Sequence, residues 1–179
     1  VFGTSGGPRW SHETSGDVWS VAWSPDGSKL AAGSGYGVYV LGADGELLWS
    51  CETRGHANSV AWSPDGNKLV AGSEDDMIYV FTANGKLLWS YETGSDVESV
   101  AWSPDGSKLA AGSWGKVYVL DADGKLLWSY ETGGVLSVAW SLDSSKLAAG
   151  SWLRVYVFEV GGKLLWSYET NSWVWSVAW

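Results

Sequence analysis

The tripeptide Val-Ala-Trp recurs, ending at Trp23, Trp62, Trp102, Trp140 and Trp179, at intervals of 38 to 40 residues. A second tryptophan, at Trp10, Trp49, Trp89, Trp128 and Trp166, precedes the first by 12 or 13 residues. A repeat of this length constrains the chain more than any local propensity does. Each copy must adopt the same supersecondary unit, and neighbouring units must pack on one another in the same way.

One unit, Asp96 to Thr132, divides into four short extended segments separated by turn chemistry. Strand A is Val97 to Trp102. Ser-Pro-Asp-Gly at 103–106 follows, with proline to fix φ and glycine to accept a positive φ. Strand B is Ser107 to Ser113, and a short variable loop leads to strand C, Val117 to Leu120, rich in β-branched and aromatic residues. Asp121-Ala-Asp-Gly124 makes a hairpin turn into strand D, Leu126 to Thr132. Strand D alternates, with Leu126, Trp128, Tyr130 and Thr132 on one face. No segment sustains a 3.6-residue period, so no helix is expected.

Four antiparallel strands every 39 or so residues match the blade of a β-propeller. A blade cannot bury both faces alone, so blades must stack about an axis. Each fully buried tryptophan removes about 200 Å² from water, worth up to roughly 5 kcal/mol. The small residues Ala31-Ala32-Gly33 and their copies suit positions where blades crowd together. The expected architecture is an all-β propeller over residues 1–179. A partial blade spans 1–16, and four complete blades follow at about 17–56, 57–95, 96–134 and 135–172. Strand A of a further blade spans 173–179. At the start, Val1-Phe2 aligns with the end of a strand C and Trp10 to Thr14 with a strand D. An incomplete ring leaves a strand edge and an apolar face open. It calls for a longer array or for several chains that complete the blade.

Bulk properties exclude some functions. A net charge of −9 argues against nucleic acid and against anionic membrane surfaces. Cys51 is the only cysteine, which rules out an internal disulfide and leaves the compartment open. No apolar run approaches the length of a membrane-spanning helix.

The first half of the unit, S-V-A-W-S-P-D-G-S-K-L-A-A-G-S, resembles WD40 repeats. The second half, V-Y-V-L-D-A-D-G-K-L-L-W-S-Y-E-T-G, resembles the repeat of PQQ-type propellers, and the whole is similar to hybrid arrays of prokaryotes. The resemblance implies the propeller fold and a protein-binding role. The Trp of the WD dipeptide falls on Leu41, Phe81, Leu120 and Phe158, and the structural Ser or Thr of strand B on Ala32, Ala71, Ala111 and Ala149. The hydrogen-bonded tetrad of WD40 proteins is therefore missing. The metal and cofactor residues of PQQ enzymes have no counterpart, so no cofactor is expected.

In a four-stranded meander the A–B and C–D turns share one rim, and the B–C and D–A connections share the other. The first rim is nearly invariant here and the second varies, which makes the second the candidate binding face. Its candidate residues are Trp19, Tyr36, Met77, Glu98, Trp114, Trp152 and Trp175. His12, His56 and Cys51 do not make a metal set. Glu52, Glu92, Glu131 and Glu169 recur once per blade, too far apart for acid–base work. No enzymatic activity is expected. The leading expectation is an interaction scaffold with one asymmetric protein or peptide site. The alternative is a lectin-like carbohydrate binder with one equivalent site per blade, using aromatics such as Trp114 and Trp152. Self-association that completes the ring is a third use of such surfaces.

Overall fold

Extended segments bounded by turns become strands in all four complete units. The computed structural model describes Val1 and residues 9–179; the alignment of Phe2 with a strand end lies outside the described residues. The first unit is β1 (Val18–Trp23), β2 (Lys29–Ser34), β3 (Gly37–Gly42) and β4 (Leu47–Glu52). The second is β5 (Ala57–Trp62), β6 (Lys68–Ser73), β7 (Met77–Thr82) and β8 (Leu87–Glu92). Each forms a four-stranded antiparallel sheet in chain order. Among the described residues there is no helix.

The last two units differ from the expected division. Strand β9 (Val97–Trp102) has the expected bounds, but β10 (Lys108–Asp121) carries strands B and C without a break. Likewise β11 (Leu126–Trp140) carries strand D of one unit and strand A of the next. With β12 (Lys146–Ser151), β13 (Arg154–Glu159) and β14 (Leu164–Glu169) they form one six-stranded sheet. The cause is local. Trp114 in the B–C loop pairs with Gly134 in the D–A connection, which extends the ladder through both. The Thr132-Gly133-Gly134 connection is also one residue shorter than its counterparts.

The segments 10–14 and 173–179, expected as strands D and A, do not form strands. Among the described residues neither lies in a ladder with a neighbouring strand. Both keep their tryptophan contacts, as shown below.

The core lies between successive sheets. Val38 and Val40 of β3 meet Trp62, Leu69 and Phe81 of the next unit. Val70, Ile78 and Val80 face the other way, onto Trp102, Leu109 and Leu120. Alternation thus sends successive residues of one strand into two different cores. Close approach of the sheets requires glycine on strand B. A Cβ at Gly72 would stand 2.5 Å from Val97 Cγ1.

Two hydrogen-bonded locks repeat from unit to unit. At the inner strand, Trp62 Nε1 donates to the Ala22 carbonyl (3.1 Å), Trp140 to Ala101 (3.1 Å) and Trp179 to Ala139 (2.9 Å). Beside it, Ser20 Oγ accepts the Val60 amide and Ser59 Oγ the Val100 amide, each at 3.1 Å. At the outer strand the direction reverses. Trp10, Trp49, Trp89 and Trp128 donate forward to Ala43, Ala83, Ala122 and Val160 in the next C–D turn, at 2.9 to 3.3 Å. Each ring lies on a glycine of that turn. Gly85, at φ 85°, has the Trp49 ring where a Cβ would be, 2.8 Å away.

The A–B turns are held by a repeated carboxylate. Ser63 Oγ donates to Asp65 Oδ1 and accepts the Lys68 amide (2.9 Å), while Asp65 accepts the Asn67 amide (3.0 Å). Copies stand at Asp26, Asp105 and Asp143. Donation by the serine hydroxyl, then by the backbone amide or second hydroxyl, holds all four carboxyls below the ordinary range.

Two predictions follow from these locks. Gly85→Ala puts a methyl group into the Trp49 ring at a positive φ, and chemical denaturation should show a loss of roughly 1–3 kcal/mol. The four aspartates titrate lower when folded than unfolded, so their stabilisation is complete above the unfolded pKa of about 4 and is lost as pH falls below it. Thermal melts should hold steady from neutral pH down to that point and then decline. Replacing Ser24, Ser63, Ser103 and Ser141 by alanine should shallow the decline, because the folded pKa values return toward ordinary.

Candidate functional site: an aromatic rim

Strand A contains a bulge that builds the variable rim. The register skips one residue between Val18 and Ser20, and equally between Ala57 and Ser59, Val97 and Ser99, and Val135 and Ser137. The unpaired residues are Trp19, Asn58, Glu98 and Leu136. A bulge re-aims the side chain it carries, so four dissimilar groups stand at matching places on four conserved strands. The D–A connections beside them are pinned by threonine. Thr53 Oγ1 donates to the Gly55 carbonyl (2.6 Å), Thr93 to Ser95 (2.7 Å) and Thr170 to Ser172 (2.7 Å).

Glu98 is the polar centre. Its carboxylate accepts the Trp114 indole N–H at 2.5 Å and lies 3.4 Å from Asn58 Nδ2. Trp114 meets Trp152 edge to face, ring centroids 5.2 Å apart. Trp152 stacks on Trp173 at 5.9 Å, and Trp173 meets Trp175 at 5.0 Å. Four tryptophans from a B–C loop, a second B–C loop and the segment after β14 thus form one continuous ladder. Trp114, Trp173 and Trp175 are exposed, whereas Trp152 is half-buried and its Nε1 is buried without a hydrogen-bond partner. Trp152 seats against Gly134, where a Cβ would fall 2.7 Å from the indole. Beneath it a shallow hollow is lined by Gly133, Trp152, Leu153, Arg154 and Tyr156, with Arg154 paired to Glu169 at 3.4 Å.

The other candidate residues stand apart from this ladder. Trp19 stacks on His56 at 5.7 Å, and His56 Nδ1 lies 3.5 Å from the Glu74 carboxylate. Tyr36 is largely exposed at the first B–C turn. Met77 opens β7, pairs with Glu92 and is half-buried. Of the seven candidates, Glu98, Trp114, Trp152 and Trp175 come together; Trp19, Tyr36 and Met77 do not join them.

Trp173 and Asn58 complete the cluster and were outside the candidate set. A signal for Trp173 was present. Ten of the 15 tryptophans occupy repeat positions; the other five are Trp19, Trp114, Trp152, Trp173 and Trp175, and all lie on this rim. Asn58 carries no such signal, because only the bulge identifies it. Among the described residues no group of three or more His, Cys, Asp and Glu side chains is placed to hold a metal ion.

These features define a tandem-repeat all-β protein whose sheets are tied by tryptophan and whose variation gathers on one rim. The family model described as outer membrane protein assembly factor BamB, of the PQQ repeat type, matches residues 2–165. The chain belongs to that family of repeat β-propellers. No curated protein matches it.

The seat of Trp152 is directly testable. Gly134→Ala should displace its indole and cost about 1–3 kcal/mol. In ¹H–¹⁵N spectra the indole signals of Trp114 and Trp173 should move with it, while those of Trp49 and Trp89 stay in place.

Proposed function

We propose that the four repeat units, two of them joined in the six-stranded sheet, are blades set about a common axis and that the chain is a non-enzymatic scaffold binding a protein or peptide through its variable rim. The observation that carries this reading is the single asymmetric ladder Trp114–Trp152–Trp173–Trp175 beside Glu98. Exposed tryptophans around a hollow are what the centres of protein interfaces use as anchors. The family's description as an assembly factor agrees with a protein partner. Glu98 and the acidic balance of the chain favour a segment with basic residues near its apolar anchor.

The asymmetry also separates this reading from the carbohydrate one. Equivalent sugar sites, one per blade, need each aromatic free to stack alone. Trp114 and Trp152 instead spend edge and face on each other. A displayed random-peptide library panned on the chain should yield binders with an apolar or aromatic anchor. Trp175→Ala should weaken those binders by about 30-fold or more, and Tyr36→Ala should leave them unchanged. A glycan array should stay silent at millimolar sugar. Sugar binding abolished by Trp114→Ala, with no peptide enriched, would reverse the assignment.

A further inference from the structure

Among the described residues nothing covers the inner face of β1. Val21 is 62% exposed and Trp23 45%, whereas their counterparts Val60, Val100 and Val138 are 5–6% exposed and Trp62, Trp102 and Trp140 6–8%. The counterparts are buried because strand A of the preceding unit lies on each of them: β1 packs on β5, β5 on β9, and β9 on the second half of β11. The cover supplies a serine hydroxyl for each valine amide and an alanine carbonyl for the indole N–H of Trp62 and of Trp140, while Trp102 Nε1 has no partner among the described residues. Trp23 Nε1 meets no acceptor among the described residues. Beside β1 an apolar groove runs between Trp10, His12 and Thr14 on one side and Val18, Val21 and Leu30 on the other.

The far end of the chain carries a free copy of the missing cover. Val174–Trp179 reads Val-Trp-Ser-Val-Ala-Trp, residue for residue the sequence of β1. One face of this segment is seated on the last unit as strand A should be. The Val177 amide donates to Ser137 Oγ (3.2 Å) and Trp179 Nε1 to the Ala139 carbonyl (2.9 Å). Its other face, with Ser176 and Ala178, is exposed. That is the face with which β1, through Ser20 and Ala22, holds β5.

We propose that Val174–Trp179 of one copy of the chain covers β1 of a second copy, head to tail. The contact continues the inter-sheet interface already present three times. Its register is fixed: the Val21 amide donates to Ser176 Oγ of the neighbouring copy, and Trp23 Nε1 to the neighbouring Ala178 carbonyl. Because the two surfaces differ, the contact is heterologous and builds a ring or an open chain of copies rather than a two-fold dimer.

Light scattering coupled to gel filtration of the 179-residue chain, over a wide concentration range, tests this. The expected mass is twice 19.2 kDa or a higher multiple. Val21→Asp and Ser176→Asp alter exposed positions on the two faces, so circular dichroism should be unchanged. Each variant alone should be monomeric, and an equimolar mixture should form a one-to-one dimer through the single pair of intact faces left. A wild-type mass of 19.2 kDa at every concentration, as closure within one chain would give, overturns the proposal. So does a single variant that keeps the wild-type mass, or a mixture that stays monomeric.

Discussion

Tryptophan is the one apolar side chain wide enough to bridge two stacked sheets and still end in a hydrogen-bond donor. Both properties are used at most junctions; at Trp102 the ring is buried but its Nε1 has no hydrogen-bond partner among the described residues. The ring fills the space between sheets, and the indole N–H finds a backbone carbonyl across it, as Trp62 does at Ala22 and Trp49 at Ala83. A leucine would fill part of the space and leave the carbonyl unpaired. A buried orphan of that kind costs about 1–3 kcal/mol. Such a lock explains why glycine stands opposite it: at Gly85 no other residue leaves room for the ring.

The same lock frees the variable rim. Register, sheet spacing and turn geometry are set at the inner strand, the outer strand and the invariant A–B turns. The B–C loops and the bulged residues take no part in these locks, although Trp114 pairing with Gly134 lengthens β10 and β11. Trp19, Asn58, Glu98 and Leu136 therefore differ in chemistry while the strands that carry them do not. A rigid scaffold that presents interchangeable groups is what a recognition surface needs.

Strand order and turn positions were legible in the sequence because they rest on local rules. The bounds of β9 follow from valine and tryptophan alternation and from Ser-Pro-Asp-Gly after it. The fusion of strands B and C in β10 was not legible, since it depends on Trp114 pairing with Gly134 across two loops. Nor were the ends, 10–14 and 173–179, where a strand-like sequence lies in no ladder among the described residues. At the site, the variability of the B–C and D–A connections pointed to the rim on which Trp114, Trp152 and Trp175 gather. The grouping within it came from contacts between loops far apart in sequence, such as Trp114 with Trp152, and from bulges that leave no mark except one variable residue between fixed neighbours.

The two tryptophan locks point in opposite directions along the chain, the inner one backward and the outer one forward. Neighbouring units therefore give and receive the same kinds of contact on each side, the unbonded Trp102 indole excepted. A further copy set between two units would meet the same kinds of surface on both sides. The number of units is then not written into any one of them. It is a quantity that recombination can alter in whole steps, and the loops of each added copy start free of any role in the locks.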